Sequence, residues 1–290
     1  MKKIIFIVLL IFNFNSIYSQ IPLPEHPRPD FKRDQWQNLN GKWDFKFDPN
    51  NEGLSNSWFT GEKKFEDKII VPFPWGSKLS GLPDNANIGW YSRDIEVSSK
   101  WKGKKIFITI GASDWETSLW IDGKFVGKHE GGYTPFSFEL TPFLTYEKKH
   151  KIIVRVDDDA GDPNKFSRGH ALYGKQGYGN ARGIWQTVYL EARGSNYFDA
   201  IHFTPDIDNK SVNVKFYFQE KMKTNSSVKL NIKTDKGVIN KKFTIRKGQL
   251  SSSFNVSIPD MRLWSLDDPF LYKVEASLDD DQVESYFGMR

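Results

Sequence analysis

The chain of 290 residues contains no cysteine. No disulfide can staple it, and no thiolate can serve as a nucleophile or metal ligand. A chain of this length can bury enough apolar surface to fold without such staples. Blocks of like charge are missing as well. The 41 Lys and Arg are interspersed with 36 Asp and Glu, and the formal net charge is +5. That mixing describes an ordinary solvated surface and argues against a nucleic-acid partner. No stretch of 12 residues carries helical periodicity. The five histidines, His26, His129, His150, His170 and His202, show no i, i+4 pair, so a zinc site is not expected. There is no Gly-x-Ser-x-Gly element. The glycine-rich stretch from Gly174 to Gly183 lacks the Gly-Lys-Ser/Thr of a phosphate-binding loop and reads as a loop. Neither metal nor cofactor is expected.

One long apolar run is present, at the N-terminus. Lys2 and Lys3 precede an unbroken run from Ile4 to Phe12, followed by a polar stretch with Ser16 and Ser19. The run is too short for a bilayer, which needs about 20 residues. Residues 1–19 therefore read as a secretory signal, cleaved near Ser19-Gln20. With no cysteine at the boundary there is no lipoprotein anchor. The mature protein is expected to be exported to the periplasm or beyond the cell, with no membrane attachment after cleavage.

Aromatic residues make up 15% of the chain and include ten Trp. Such a content suits β-sandwich cores and also the stacking of sugar faces on rings. Residues 21–30 hold four prolines, which fix φ and remove donors, so this lead-in is extended without being a central strand. Beyond it the pattern is β almost throughout. Ile106, Ile108 and Ile110 alternate on one face. Leu119–Ile121 and Phe125-Val126 flank Asp122-Gly123, a strong hairpin-turn signal. Ile152–Val156 and Gln186–Leu190 read as further strands. Trp43, Trp120 and Trp185 lie in strand-like runs and are expected in the core. Gly131 and Gly132 are expected to serve a tight turn.

The texture changes near Gly194-Ser195-Asn196, which predicts a hinge. After it, short strands recur at about ten-residue intervals: Ser211 to Phe218, Ser227 to Lys233, Val238 to Ile245, Ser252 to Ile258 and Tyr272 to Leu278. These suit an immunoglobulin-like sandwich. The preceding region suits a larger antiparallel sandwich of the jelly-roll kind. The expected organisation is a signal over 1–19, a jelly-roll domain over 20–195 and an immunoglobulin-like domain over 196–290. The fold class is all-β.

Sugar hydrolysis needs two carboxylates on a rigid scaffold, about 5 Å apart for retention and further apart for inversion. Asn51-Glu52 has the form of a glycosidase acid dipeptide, but it sits in the turn-rich Asp48-Pro49-Asn50-Asn51-Glu52-Gly53 and reads as a loop. Asp157, Asp158 and Asp159 with Asp162 have the composition of a calcium loop. An acidic loop following a strand is the preferred reading.

Several motifs occur in order along the chain. They are Leu39-Asn40-Gly41-Lys42-Trp43, Val71-Pro72-Phe73-Pro74-Trp75, Gly89-Trp90-Tyr91-Ser92-Arg93, and the long run from Leu119 to Phe136. Then come Val154-Arg155-Val156-Asp157-Asp158, the run from Gly183 to Glu191, Leu263-Trp264-Ser265 with Pro269–Tyr272, and Tyr286-Phe287-Gly288-Met289-Arg290. In this order and spacing the chain resembles the N-terminal half of family-2 glycoside hydrolases, the β-galactosidase and β-glucuronidase group. The resemblance covers nearly all of the mature chain. It implies a sugar-binding jelly roll, an immunoglobulin-like domain, and then a (β/α)₈ barrel carrying two catalytic glutamates. Such a barrel takes roughly 250 residues, and the first two domains already claim the residues here. No catalytic residue is therefore assigned.

In some family members a loop of the first domain reaches the rim of the active site. Asp158, which matches a family position, and Arg168, His170 and Arg182 in the following loop are the candidates for that rim. The implied partners are a carbohydrate glycoside and a catalytic barrel, in cis or in trans, with a homo-oligomer left open. Two other classes stay open. A stand-alone carbohydrate-binding or adhesion module would show a free aromatic platform. A subunit complementing a separately encoded barrel would show apolar and basic residues beside Arg290.

Overall fold

The computed structural model describes residues 21–158 and 181–290. Residues 1–19, expected to be a signal, and Asp159, Asp162, Arg168 and His170 lie outside the described residues. Among those described, helix is confined to three-residue 3-10 turns at Trp58–Thr60, Ser99–Trp101 and Thr141–Phe143. Every paired strand is antiparallel.

The first sandwich sets a six-stranded sheet against a four-stranded one. In chain order its strands are β1 (Trp36–Asn38), β2 (Gly41–Phe47), β3 (Asp67–Val71), β4 (Ile88–Glu96), β5 (Lys105–Ile110), β6 (Ser113–Asp114), β7 (Glu116–Ile121), β8 (Lys124–Glu130), β9 (Phe136–Glu139), β10 (Lys149–Asp157), β11 (Gly183–Ile184) and β12 (Val188–Arg193). The larger sheet runs β3-β2-β4-β10-β7-β8 and the smaller β1-β12-β5-β9, the order of a jelly-roll sandwich rather than a simple meander. The alternation of strand side chains fills the space between them. Ile106, Ile108 and Ile110 meet Ile152, Val154 and Val156, with Val188 and Leu190 from β12.

The outer face of the larger sheet is not bare. Trp90, Trp120 and Ile153 are covered there by Trp58 and Phe65 from the segment between β2 and β3. Trp120 stacks on Trp90 at 5.6 Å and on Phe59 at 5.8 Å. Trp43 is in the inner core. Trp120 is buried too, but on the other side of the sheet. Trp185 departs from expectation. It follows the two-residue β11 and is only half-buried, because its indole Nε1 donates to the Gly132 carbonyl at 2.8 Å instead of entering the core.

The turn between β7 and β8 has positive φ at Asp122 (48°) and Gly123 (76°), as a two-residue primed hairpin turn requires. The Asp122 carboxylate also accepts the Lys151 amide at 2.8 Å and contacts His150 Nδ1 at 2.6 Å, which ties the hairpin to β10.

The second sandwich packs β13 (Phe198–Asp206), β14 (Ser211–Phe218) and β17 (Ser251–Ser257) against β16 (Gly237–Ile245), β15 (Ser226–Thr234), β18 (Tyr272–Leu278) and β19 (Asp281–Phe287). It is immunoglobulin-like, with seven strands and its own core of Val212, Val214, Phe216, Leu230, Val274 and Ala276.

The proline-rich lead-in crosses to this second sandwich before it enters the first. Lys32 and Glu284 exchange both backbone hydrogen bonds, at 2.9 and 2.8 Å, so the lead-in covers the outer edge of β19. Phe31 is buried in the second core. The Gly194–Asn196 segment, where a hinge is expected, is tied down. Ser195 N donates to Asp280 Oδ1 at 3.2 Å, Gly194 N to Asp281 Oδ1 at 3.1 Å and Asn196 Nδ2 to Asp279 Oδ2 at 2.8 Å.

The fold makes stability depend on pH through its histidines. His26 lies edge-on to Trp36 and Tyr189, at 4.7 and 5.5 Å. Burial holds its imidazole below the ordinary value, against the pull of Glu191. His129, stacked on Phe136 at 3.9 Å, is also held low, again chiefly by burial. A base with a lowered folded-state pKa binds fewer protons folded than unfolded. The stability it contributes is complete above the unfolded value, about 6.5, and is lost as pH falls below it. The urea midpoint should therefore decline from pH 7 to pH 5.5, and His26→Gln should flatten that decline. An identical profile in the variant would remove His26 as a cause.

Candidate functional site

The C-terminal end of β10 and the N-terminal end of β4 open onto one end of the first sandwich. Here lie Asp158 and Arg182, two of the residues that the sequence offered as rim candidates. Asp157 pairs with Ile88 across the two strands, and the Asp158 amide donates to the Asn87 carbonyl at 2.8 Å. Arg182 enters from the other side of the undescribed segment, held by an isolated antiparallel bridge to Trp75. Its guanidinium lies between two carboxylates. Nη1 donates to Asp84 Oδ1 at 3.1 Å, and Nε approaches Asp158 Oδ2 at 3.4 Å. Two of the four predicted rim residues, Asp158 and Arg182, are thus brought together. Arg168 and His170 fall outside the described residues.

Around this pair the walls are rigid. Gly183, with φ of +80°, sits where any Cβ would run into the Tyr91 hydroxyl and the Trp75 ring. Tyr91 is fully buried, and its hydroxyl accepts the Ile184 amide at 3.1 Å. Burial pushes the phenol's pKa well up, so it stays protonated. β11 pairs with β6, placing Gly183 opposite Asp114. The Gly131-Gly132 loop leans in beside them. Gly131 N donates to Trp115 O at 3.1 Å, and Gly132 O takes the Trp185 indole. Tyr133 meets Trp185 edge-to-face at 6.4 Å and is 52% exposed.

Beside the Arg182 cluster lies an open cavity of about 390 Å³ walled by Asp48, Asn51, Asn85, Asn87 and Asp157. Asp48 is fixed there because its carboxylate takes the amides of Glu52 and Gly53 and the Trp90 indole, at 2.8, 3.0 and 3.0 Å. Arg155 braces the opposite wall, donating to Asn51 Oδ1 at 3.0 Å and Asp157 Oδ2 at 2.9 Å. Glu52 itself is exposed in the loop that Asp48 organises. Among the described residues no group of three acidic or histidine side chains is placed to hold a metal ion. Asp157 turns to Arg155 and Asp158 to Arg182 instead.

This end of the sandwich presents fixed donors and acceptors, and among the described residues Asp84 and Asp158 both lie at the Arg182 guanidinium. Trp75 and Tyr91 lie inside motifs visible in the sequence. Asp84 carries no local signal, because its partner is 98 residues away.

Comparison with known proteins agrees with this architecture. Residues 36–193 match the family model "Glycosyl hydrolases family 2, sugar binding domain", and residues 196–290 match "Glycosyl hydrolases family 2". A β-galactosidase of Thermoanaerobacter pseudethanolicus is 24% identical over 92% of this chain and 33% of its own length. A β-glucuronidase of Paenibacillus borealis is 23% identical over 83% of this chain and 42% of its own length. The crystal structure of Ruminococcus gnavus β-glucuronidase superposes with a TM-score of 0.69 at 17% identity, covering 89% of this chain and 45% of that one. The chain therefore spans a third to under half of the length of these relatives.

Proposed function

The chain belongs to glycosyl hydrolase family 2, and on that premise we propose that it forms the non-catalytic N-terminal region of an exported β-galactosidase- or β-glucuronidase-like enzyme. Its jelly roll, over 20–195, shapes one side of the sugar pocket. Its immunoglobulin-like domain, over 196–290, carries the catalytic barrel, whether joined to it or separately encoded. The substrate is a carbohydrate glycoside, and the hydrolytic carboxylates belong to the barrel. The observation that carries this reading is the succession of two family modules along one chain that matches 89% of itself but 45% of a whole β-glucuronidase. In support, the rim carboxylates Asp84 and Asp158 are engaged by Arg182, which suits holding a sugar more than protonating it.

The purified chain, as secreted, should release no nitrophenol above buffer from aryl β-galactosides, β-glucuronides or β-mannosides. Reproducible turnover that disappears in Glu52→Gln would overturn the assignment. Exposed Tyr133 beside Trp185 favours a second reading, a stand-alone carbohydrate-binding module. Retention of the chain on immobilised polysaccharide, lost in Tyr133→Ala, would favour it.

A further inference from the structure

The outer face of the β16-β15-β18-β19 sheet is crowded with ammonium groups. Val228, Leu230 and Ile232 of β15 point into the second core, as do Val274 and Ala276 of β18, so the residues between them face outward. Strand register then fixes which outward residues are neighbours. Lys229 lies directly opposite Lys242 of β16, and Lys233 directly opposite Lys273 of β18. Between these two rows, Asn231 lies opposite Asn240 on one side and Glu275 on the other.

The carboxylates on this face are already engaged. Glu275 holds Lys233 at 2.6 Å, and Glu284, across from it on β19, lies 3.6 Å from Lys32 of the lead-in. Lys229, Lys242 and Lys273 are exposed and are left without a carboxylate among the described residues. Like charges directly opposite each other on a sheet cost stability. The other sheet of the same sandwich shows no such crowding. Its three strands contain one lysine, Lys215, which sits 4.8 Å over the Tyr217 ring. Unmatched cations gathered on one face of two mark a surface complementary to an anion.

We propose that this face binds an anionic polysaccharide, one carrying carboxylates or sulfate esters along its chain. Lysine presents a point charge without the fork that arginine offers to a single phosphate or carboxylate, and so suits anionic groups spaced along a polymer. Between the charges, the Asn231–Asn240 pair and the Ser277–Gln282 pair offer donors and acceptors to sugar hydroxyls. A protein partner would need an apolar centre. The apolar residues of this face, Val238 and Tyr286, stand on its two outermost strands, β16 and β19. Single-stranded nucleic acid is held by rings on which successive bases stack, and Tyr286 is the one aromatic ring that these strands turn outward. The binding goes beyond the functional reading above, since it needs no catalytic barrel.

The test measures equilibrium binding of the purified chain to polygalacturonate, dextran sulfate and neutral dextran, each immobilised on beads. One or both anionic polymers should retain the chain and neutral dextran should not; the polymer bound more tightly identifies the anionic group. Lys229→Thr combined with Lys242→Thr should raise the Kd about fivefold, the scale of two exposed ion pairs. Threonine favours strands, and the like-charge contact is gone, so the melting temperature should equal or exceed the parent's. Should that variant unfold, Lys273→Thr on β18 reads the same face, with a rise of about twofold. Lys221→Thr combined with Lys223→Thr removes the same charge from the connection between β14 and β15 and should bind as the parent does. Absence of retention on both anionic polymers, or an equal loss in the two double variants, would overturn the proposal. Tighter binding to single-stranded DNA or to phosphatidylglycerol vesicles than to either polysaccharide would assign the face to that partner and overturn it too. None of these readouts involves hydrolysis, so the functional reading stands or falls separately on the aryl glycoside assay.

Discussion

Replacing Arg33 by methionine should cost about 3–5 kcal/mol of stability, the scale for breaking a buried ion pair on one side. Arg33 comes from the lead-in and is buried between the two sandwiches. Its Nε and Nη2 meet both oxygens of Asp281 at 2.8 and 2.9 Å. Nη1 reaches Glu191 at 2.9 Å, and Nη2 also reaches Phe198 O at 2.7 Å. Without the guanidinium, Asp281 is a buried charge with no cation, while Glu191 keeps Arg193 at 2.8 Å. Changing all three residues to apolar ones should not restore stability. Asp281 also accepts the buried amides of Gly194 and Phe198, at 3.1 and 3.0 Å, and each amide left unpaired costs about 1–3 kcal/mol. Urea unfolding followed by tryptophan fluorescence reads both variants. A loss under about 1 kcal/mol for Arg33→Met would mean that water satisfies the joint.

Gly183→Ala should destabilise the first sandwich by about 2–5 kcal/mol. The sum joins an overpacking cost of about 1–3 kcal/mol to about 1–2 kcal/mol for a non-glycine residue in the left-handed region. The added methyl would overlap the Tyr91 hydroxyl and come within 2.6 Å of the Trp75 ring, and both residues are fully buried and cannot swing away. Gly123→Ala separates the two causes. It has positive φ as well, but its nearest neighbour would be Thr60 Cα at 3.5 Å, so only the backbone term, about 1–2 kcal/mol, should appear. Equal losses for the two variants would show that the Tyr91–Trp75 wall yields. A larger loss for Gly183→Ala would place the rim on a support that tolerates no side chain.

Some elements could be read from local pattern because their determinants are local. Period-two alternation marked Ile106, Ile108 and Ile110 as one face, and Asp122-Gly123 marked the hairpin through the backbone geometry those residues accept. Trp185 was misplaced because an aromatic residue beside Val188 and Leu190 looks like strand core. It is drawn instead to the Gly132 carbonyl, a partner 53 residues away. Asp158 could be named from a motif and Arg182 from the loop that ends beside one, but Asp84, which completes their cluster, could not be named from either. Trp120 was legible as buried, though not as buried on the outer face, since that depends on Trp58 and Phe65 folding back over the sheet.

Alternation, turn residues and the absence of helical periodicity were enough for an all-β chain of two sandwiches, and ordered motifs were enough for the family. Alternation and turn residues are read within a few residues, and the motifs are read from their order along the chain, so both survive without knowledge of what packs where. The charge pairings at the joint and rim, and the face on which a tryptophan is buried, belong to tertiary structure. Arg33 and Asp281 lie 248 residues apart, and nothing near either residue says that the other will neutralise it. Both sandwiches have to be folded and brought side by side before the burial of one charge selects its partner.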